Sequence, residues 1–182
     1  MSRLLYRGQL CADQPQSGLS VQVEMQQLDG AVWQLMYQLN DPEQQIVWPD
    51  AQAALSRQDY LWESTCFELF VQVVGSSEYL ELNLSPARLW NVYSFDEYRC
   101  PAQMPPRRDD RLKVLSLEVD THTRQLTAVV DWSECFVAGQ ALRVGLTCVL
   151  KNRAGQCSYW ALQHGGQPDF HRASDWLIQV DA

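Results

Sequence analysis

The chain has 182 residues, of which 46% are hydrophobic and 20% are charged, and its formal net charge is −8. This length and composition favour one globular domain spanning residues 1–182 and argue against disorder. A net negative charge repels phosphate groups, so we expect no nucleic acid and no anionic membrane among the partners.

The N-terminal segment and the cysteines indicate the compartment. Residues 1–10 lack the apolar stretch of a secretory signal, and no apolar run approaches the roughly 18 residues that a membrane helix needs. The six cysteines are widely spaced and form no C-x-x-C pair, which favours free thiols over a zinc or redox site. We therefore predict a cytoplasmic protein. Cys66 and Cys148 lie in apolar runs and are predicted to be buried.

Short apolar runs separated by turn signals dominate the chain and predict strands. The clearest feature is a hairpin, in which residues 19–27 and 32–40 flank an Asp29-Gly30 turn. Further strands are predicted at 66–74, 79–85, 89–95, 112–119, 125–132, 142–150, 156–162 and 175–180. About ten strands suit two stacked antiparallel sheets, so the predicted fold class is all-β, a two-sheet β-sandwich.

Two segments do not fit a strand pattern. Residues 50–59 form an Asp-capped, Ala-rich stretch after Pro49, which predicts a short helical turn. Residues 100–111 contain three prolines and mixed charges, which predict a long loop. Elsewhere, Trp33 and Trp132 alternate in step with apolar neighbours and are predicted to lie in the core.

Side chains alternate between the two faces of a strand, so their parity assigns them to surfaces. In the strands at 66–74 and 79–85 one set is apolar and is predicted to form core: Phe67, Leu69, Val71, Val73, Leu80, Leu82 and Leu84. If these strands pair through the turn at 75–77, Glu68, Glu81 and Asn83 share the opposite face. Such a group can accept hydrogen bonds from hydroxyls, as sugar sites do, but an ordinary solvated sheet face has the same pattern.

Four segments resemble a known family. They are residues 61–70 (LWESTCFELF), 79–86 (YLELNLSP), 95–99 (FDEYR) and 158–162 (SYWAL), the last followed by Pro168-Asp169-Phe170-His171. In this order they look like signatures of the bacterial DOMON-like proteins related to family 9 carbohydrate-binding modules. The resemblance covers nearly the whole chain and is weaker at Ala87 and Lys151, which depart from the resembled pattern.

The resemblance implies a jelly-roll-like β-sandwich whose concave sheet holds a small polar ligand. In the carbohydrate-binding relatives this ligand is a sugar held between aromatic rings. Those relatives often carry structural calcium, so the resemblance leaves open whether this chain also binds a calcium ion. DOMON relatives elsewhere bind haem or sugars. Haem is disfavoured by the missing export signal and the lack of an obvious Met/His axial pair. No other cofactor is expected.

Candidate ligand contacts come from the resembled segments and from the polar face. Trp62, Trp90 and Trp160 could stack on a pyranose ring, although tryptophan side chains are also commonly buried in the core of a sandwich. His164, Asp169 and His171 could be read as a metal triad, but their spacing matches no compact metal motif, and no metal ligand is assigned. The predicted ligand-binding residues are Trp62, Glu63, Glu68, Glu81, Asn83, Trp90, Tyr98, Arg99, Trp160, His164, Asp169 and His171.

No catalytic residue is assigned, because no nucleophile-elbow, phosphate-loop or dinucleotide motif is present. The predicted function is non-catalytic binding of a small polyhydroxyl ligand such as a sugar. One alternative is a hydrolase or isomerase acting on a sugar through Glu68 and Glu81, which as directly paired residues would lie about 4.5–5.5 Å apart at Cβ. Another is an interaction protein with a vestigial pocket. The oligomeric state is left open.

Overall fold

The computed structural model describes residues 2–181, which form strands and two short 3-10 helical turns, Leu61–Glu63 and Ala173–Asp175. The strands are β1 (Arg3–Ala12), β2 (Ser20–Asp29), β3 (Val32–Asn40), β4 (Ser56–Arg57), β5 (Cys66–Val73), β6 (Tyr79–Ser85), β7 (Leu89–Phe95), β8 (Lys113–Asp120), β9 (Gln125–Asp131), β10 (Ala141–Lys151), β11 (Cys157–Ala161) and β12 (Ile178–Asp181). Within this part of the chain, no helix is long and apolar enough to cross a membrane.

The strands form two sheets that face each other. The first sheet has the order β1-β2-β3-β9-β8, and the second has the order β4-β7-β6-β5-β10, with β11 and β12 pairing different parts of β10. Strand β1 joins the sheets, because Arg3–Leu10 pairs with β2 whereas Cys11 and Ala12 pair with β11. All pairs are antiparallel except that of the short β4 with β7. The predicted all-β, two-sheet antiparallel β-sandwich is confirmed.

Most predicted strands are present, including the hairpin of β2 and β3 around Gly30, whose φ of +47° suits a glycine. The strands β1 and β4 were not predicted from the sequence. The helical turn predicted at 50–59 is wrong. The backbone there is held by Arg88, whose guanidinium donates to the carbonyls of Gln52 (3.2 Å) and Ala53 (2.8 Å), so these carbonyls bond outside a helix. The segment then enters β4.

The core between the sheets follows the predicted parity. Phe67, Leu69 and Val71 are completely buried there, as are Leu82 and Leu84 on the neighbouring strand. Leu80 is buried in the same cluster, and Val73 packs against it half-buried. The predictions that Trp33 and Trp132 are core and that Cys66 and Cys148 are buried are confirmed.

The opposite face of the second sheet is also covered. A second cluster of buried aromatic side chains lies on it: Phe70, Tyr79, Tyr93, Phe95 and Trp176. The segment between β7 and β8 and the segment between β11 and β12 contact this face, and Trp176 stacks on Phe70 with ring centroids 5.4 Å apart. Glu68, Glu81 and Asn83 are therefore at most 5% exposed, so they do not form an ordinary solvated sheet face.

We expect Gly145→Ala to destabilise the protein by disturbing this aromatic cluster. Gly145 lies opposite Phe70 in the β5–β10 pair, and a Cβ atom there would overlap the indole ring of Trp176. The ring would have to leave Phe70, which should cost about 1–3 kcal/mol of unfolding free energy. Urea unfolding of Gly145→Ala, Trp176→Leu and the double variant measures this. Equal costs of Gly145→Ala with and without the indole would contradict the explanation.

Candidate functional site

A cleft of about 360 Å³ opens on the face of the second sheet that points away from the core. Its floor consists of side chains from three adjacent strands, namely Glu68 and Phe70 on β5, Glu81 on β6 and Val149 on β10. Aromatic walls rise from this floor: Trp62, Phe95, Tyr159 and Phe170. Residues 101–106 and 168–171 contribute to the rim, because the two long loops of the second sheet meet there.

Glu68 is buried at the base of the cleft. Its Oε2 accepts a hydrogen bond from the Thr147 hydroxyl (3.2 Å), and its backbone carbonyl accepts one from the Tyr37 hydroxyl on the core side (2.6 Å). Burial raises the pKa of the Glu68 carboxyl well above its usual range, and the nearby charge of Glu81 raises it further. Glu68 therefore favours its protonated form.

Glu81 lies beside Glu68 and is held by an amide. Its Oε1 accepts a hydrogen bond from Asn83 Nδ2 (2.7 Å), and Asn83 Oδ1 in turn accepts one from the Cys66 thiol (3.3 Å). Burial raises the pKa of Glu81 to about 7, although the Asn83 hydrogen bond and the charge of Arg99 oppose the shift. Asn83 lies beneath this carboxyl and positions it.

The two glutamates are diagonal neighbours. In the β5–β6 register Glu68 lies opposite Asn83, and Glu81 lies opposite Phe70. Diagonal neighbours on adjacent strands lie about 7–8 Å apart, and somewhat less between their Cβ atoms. The expectation that the two glutamates are directly paired, with Cβ atoms about 4.5–5.5 Å apart, is therefore wrong. Both glutamates line the same cleft, where a ligand can contact them.

His171 closes one side of the cleft as a neutral imidazole. The Tyr79 hydroxyl accepts from the backbone N–H of Arg99 (3.1 Å) and is hydrogen-bonded to Nδ1 of His171 (2.7 Å), with the donor set by the imidazole tautomer. The other ring nitrogen, Nε2, lies 3.6 Å from Glu81 Oε2, longer than a good hydrogen bond. Burial lowers the pKa of His171 to about 3, assisted by the charge of Arg99.

Asp169 connects the two rim loops. Its Oδ1 accepts from Arg99 Nη2 (2.8 Å) and from the backbone N–H of His171 (3.2 Å), whereas its Oδ2 accepts from the Tyr98 hydroxyl (2.6 Å). These donors lower the pKa of Asp169 despite its burial. The carboxylate therefore sets where Arg99 and His171 face the cleft. Tyr98 stays exposed outside it.

Of the three tryptophans predicted as a stacking platform, the structure brings only Trp62 to the cleft. Trp90 lies opposite Leu84 and packs against the main core, with the Arg57 guanidinium 4.3 Å above its ring. Trp160 lies in the same core at 3% exposure, and its Nε1 donates to Ser158 Oγ (3.0 Å). Both point away from the cleft because their strand parity matches that of the core residues.

Two other candidates also lie outside the cleft lining. Glu63 is exposed, and its backbone carbonyl accepts a hydrogen bond from Lys151 Nζ (3.0 Å). His164 is exposed, with its Nε2 3.0 Å from the carbonyl oxygen of Cys11, far in the fold from the carboxyl pair. Among residues 2–181, no three His, Cys, Asp or Glu side chains are arranged to hold a metal ion, so no calcium site is assigned.

The site also contains aromatic residues that the sequence did not single out as ligand contacts: Phe70, Phe95, Tyr159 and Phe170. Phe70 has the same parity as Glu68, so its position on this face was available from the sequence. Phe170 belongs to a loop, where alternation carries no information.

Two solved structures are similar to this chain over nearly its whole length. One is a protein from Bacteroides uniformis ATCC 8492 to which carbohydrate binding has been ascribed, with a TM-score of 0.63, 13% identity and coverage of 97% of this chain and 86% of that one. The other is a family 9 carbohydrate-binding module from Caldicellulosiruptor kristjanssonii in complex with cellotriose, with a TM-score of 0.58, 7% identity and coverage of 97% and 82%.

These similarities establish the class of fold, a β-sandwich like that of family 9 carbohydrate-binding modules, which confirms the predicted fold. At such low identities they show the fold alone. No family model matches the sequence, and no curated protein is significantly similar to it.

Replacing Glu81 by glutamine should make stability less sensitive to rising pH. The pKa of Glu81 is raised from 4.5 to about 7, so the folded state holds this proton more tightly than the unfolded state does. That contribution is complete below the unfolded pKa and is lost as pH rises through about 7. Between about pH 5 and pH 8, the unfolding free energy of Glu81→Gln should rise relative to that of the unsubstituted protein, by no more than about 3 kcal/mol.

Urea unfolding followed by tryptophan fluorescence at a series of pH values measures this difference. Glu118→Gln makes the same charge change at an exposed position of β8 and serves as the control. His171 contributes with the opposite sign, because its lowered pKa removes stability as pH falls below about 6.5, and it is present in all three proteins. A Glu81→Gln difference that stays constant with pH would disprove the raised pKa.

Proposed function

We propose that the chain is a non-catalytic module that binds a small polyhydroxyl ligand, such as a sugar, in this cleft. The observation that carries the proposal is the pair of buried carboxyls, Glu68 and Glu81, on a floor enclosed by aromatic walls. Small-molecule sites commonly combine apolar walls with a few convergent polar groups, which fix the orientation of the ligand.

The chemistry of the lining suits hydroxyl groups. Carboxyl oxygens of Glu68 and Glu81 accept hydrogen bonds, and the guanidinium of Arg99 donates them. The faces of Trp62 and Phe170 offer apolar area for the C–H faces of a sugar ring. A volume of about 360 Å³ is within the range of small-molecule sites and is open, which disfavours a pocket filled by its own side chains.

Two further observations support the proposal. The fold is shared with a family 9 carbohydrate-binding module whose structure contains cellotriose, and with a protein to which carbohydrate binding has been ascribed. The four resembled segments, which suggest a DOMON-like relative of these modules, supply most of the cleft floor and part of its walls and rim. The shared fold supports a carbohydrate ligand, and the resembled segments, which line the cleft, support its placement on this face of the sheet.

We expect Trp62→Ala to weaken sugar binding at least about fivefold, because a stacked ring is worth roughly 1 kcal/mol or more. A panel of neutral, acidic and aminated monosaccharides, disaccharides and polyols, screened by thermal shift and followed by calorimetry, identifies the ligand. The matched control is Trp90→Phe, which alters a tryptophan on the opposite face of the same sheet. It should lower stability and leave affinity unchanged.

Two outcomes would contradict binding in this cleft. The first is that no compound of the panel shifts the melting temperature at millimolar concentration. The second is that a compound binds equally well to the unsubstituted protein and to Trp62→Ala.

A second candidate function is general acid–base catalysis on a sugar. It is favoured by the raised pKa of Glu81, about 7, which lies where an acid or base works best near neutral pH. Turnover of a bound sugar, lost in Glu81→Gln with ligand binding retained, would support it. A bound sugar recovered unchanged after prolonged incubation would exclude catalysis on that sugar.

A further inference from the structure

The charges that line the cleft do not balance. Three carboxyl groups face it, those of Glu68, Glu81 and Asp169, whereas the described lining contains one arginine, Arg99, and one histidine, His171. Arg99 pairs with Asp169 through a 2.8 Å contact. Burial and the charge of Arg99 lower the pKa of His171, so this imidazole favours its neutral form. Glu68 and Glu81 are left without a cation of their own.

The groups around the carboxyl pair on every packed element are neutral or already engaged. Neutral partners donate to one oxygen of each carboxyl, Thr147 to Glu68 and Asn83 to Glu81. A side-chain hydrogen bond from Cys66, also an uncharged partner, lowers the pKa of Glu68 further. The remaining titratable or charged groups facing the pair from the strands and the rim are Cys66, Cys148, Tyr79, Tyr93, Arg99, Asp169 and His171.

None of those groups can serve as a countercation in direct contact. Burial raises the pKa of the Cys66 and Cys148 thiols and of the Tyr79 and Tyr93 hydroxyls, so they stay protonated and uncharged. Arg99 acts on the pair through its field, without an ion pair to either glutamate among the described residues. In the free protein the pair therefore avoids its own repulsion by keeping a proton.

The walls above the carboxyl pair suit a positive charge. The rings of Trp62, Phe95, Tyr159 and Phe170 border the same space, and an aromatic face attracts a cation within about 6 Å of its centre. A neutral hydroxyl can bond to the carboxyls but brings no positive charge to them or to the rings. An ammonium group satisfies both features at once.

We propose that the ligand of this cleft carries a protonated amino group, so that it is an aminated sugar or amino polyol whose ammonium group pairs with Glu68 and Glu81. This inference rests on the proposed function and narrows its ligand class. On binding, the ammonium group supplies one positive charge, and one of the protons held by the pair leaves to the solvent. Each bound ammonium group is therefore accompanied by the release of at most one proton.

The test compares aminated compounds with neutral compounds of the same skeleton: glucosamine with glucose, galactosamine with galactose, mannosamine with mannose, and 1-amino-1-deoxysorbitol with sorbitol. We expect at least one aminated member to bind about tenfold or more tightly than its neutral partner, because hydrogen bonds to charged groups are the stronger ones. Calorimetry in two buffers of different ionisation enthalpy counts the protons released. Release should approach one proton per ligand near pH 6 and fall as pH rises towards 8.

Two variants assign the effect to the carboxyl pair. In Glu81→Gln and in Glu68→Gln, the ratio of aminated to neutral affinity should collapse towards one, and proton release should shrink. Glu118→Gln, which makes the same charge change on the far side of the molecule, should keep both. Circular dichroism and thermal unfolding establish that each variant is folded before its affinity is interpreted.

The outcomes separate the two proposals. Equal affinity for aminated and neutral partners, without proton release, would overturn the amino-ligand inference and leave polyhydroxyl binding intact. Absence of binding by every compound would overturn the proposed function and with it the inference. An amine preference that survives both Glu81→Gln and Glu68→Gln would overturn the assignment to this pair.

Discussion

The antiparallel register of β5 against β6 is the constraint on which the core and the cleft both depend. Every residue of β6 is buried, and its side chains point alternately to two buried environments. The leucines face the opposite sheet, and Tyr79, Glu81 and Asn83 face the side of the rim loops. A slip by one residue would turn Glu81 into the core and a leucine into the cleft. The hydrogen bond from the Tyr37 hydroxyl to the Glu68 carbonyl crosses from the first sheet and holds β5 in place. One strand pair thus fixes the position of both carboxyls.

The strands and the sheet faces were largely predictable, because alternation is a local signal that survives folding. The parity of residues 66–73 and 79–85 identified both the core side and the Glu68 side. The same rule, applied to β7, places Trp90 with Val92 on the core side, so its absence from the cleft could have been foreseen. Strand β1 escaped prediction because Arg7 and Gly8 interrupt its apolar pattern, and β4 because two residues carry no periodicity.

The rim was not predictable in the same way, because it depends on contacts between distant segments. The sequence marked Tyr98, Arg99, Asp169 and His171 through a family resemblance, but their mutual bonds join segments about 70 residues apart. The lowered pKa of His171 depends on its burial and on the charge of Arg99, a residue of the β7–β8 segment. The periodicity of the sequence does not predict contacts between such distant segments. It does not predict the raised pKa of Glu81 either, because that shift needs the full burial that these loops provide.

The bridge that Asp169 makes between the two loops has an evolutionary consequence. The strands encode the floor of the cleft, while the β7–β8 segment and the β11–β12 segment encode its entrance, and the carboxylate of Asp169 ties these two segments together through Tyr98 and Arg99. Insertions and exchanges in surface loops disturb a sandwich core little. Changes in these loops can therefore alter what the cleft admits while the scaffold stays the same, as long as Asp169 and its donors are retained.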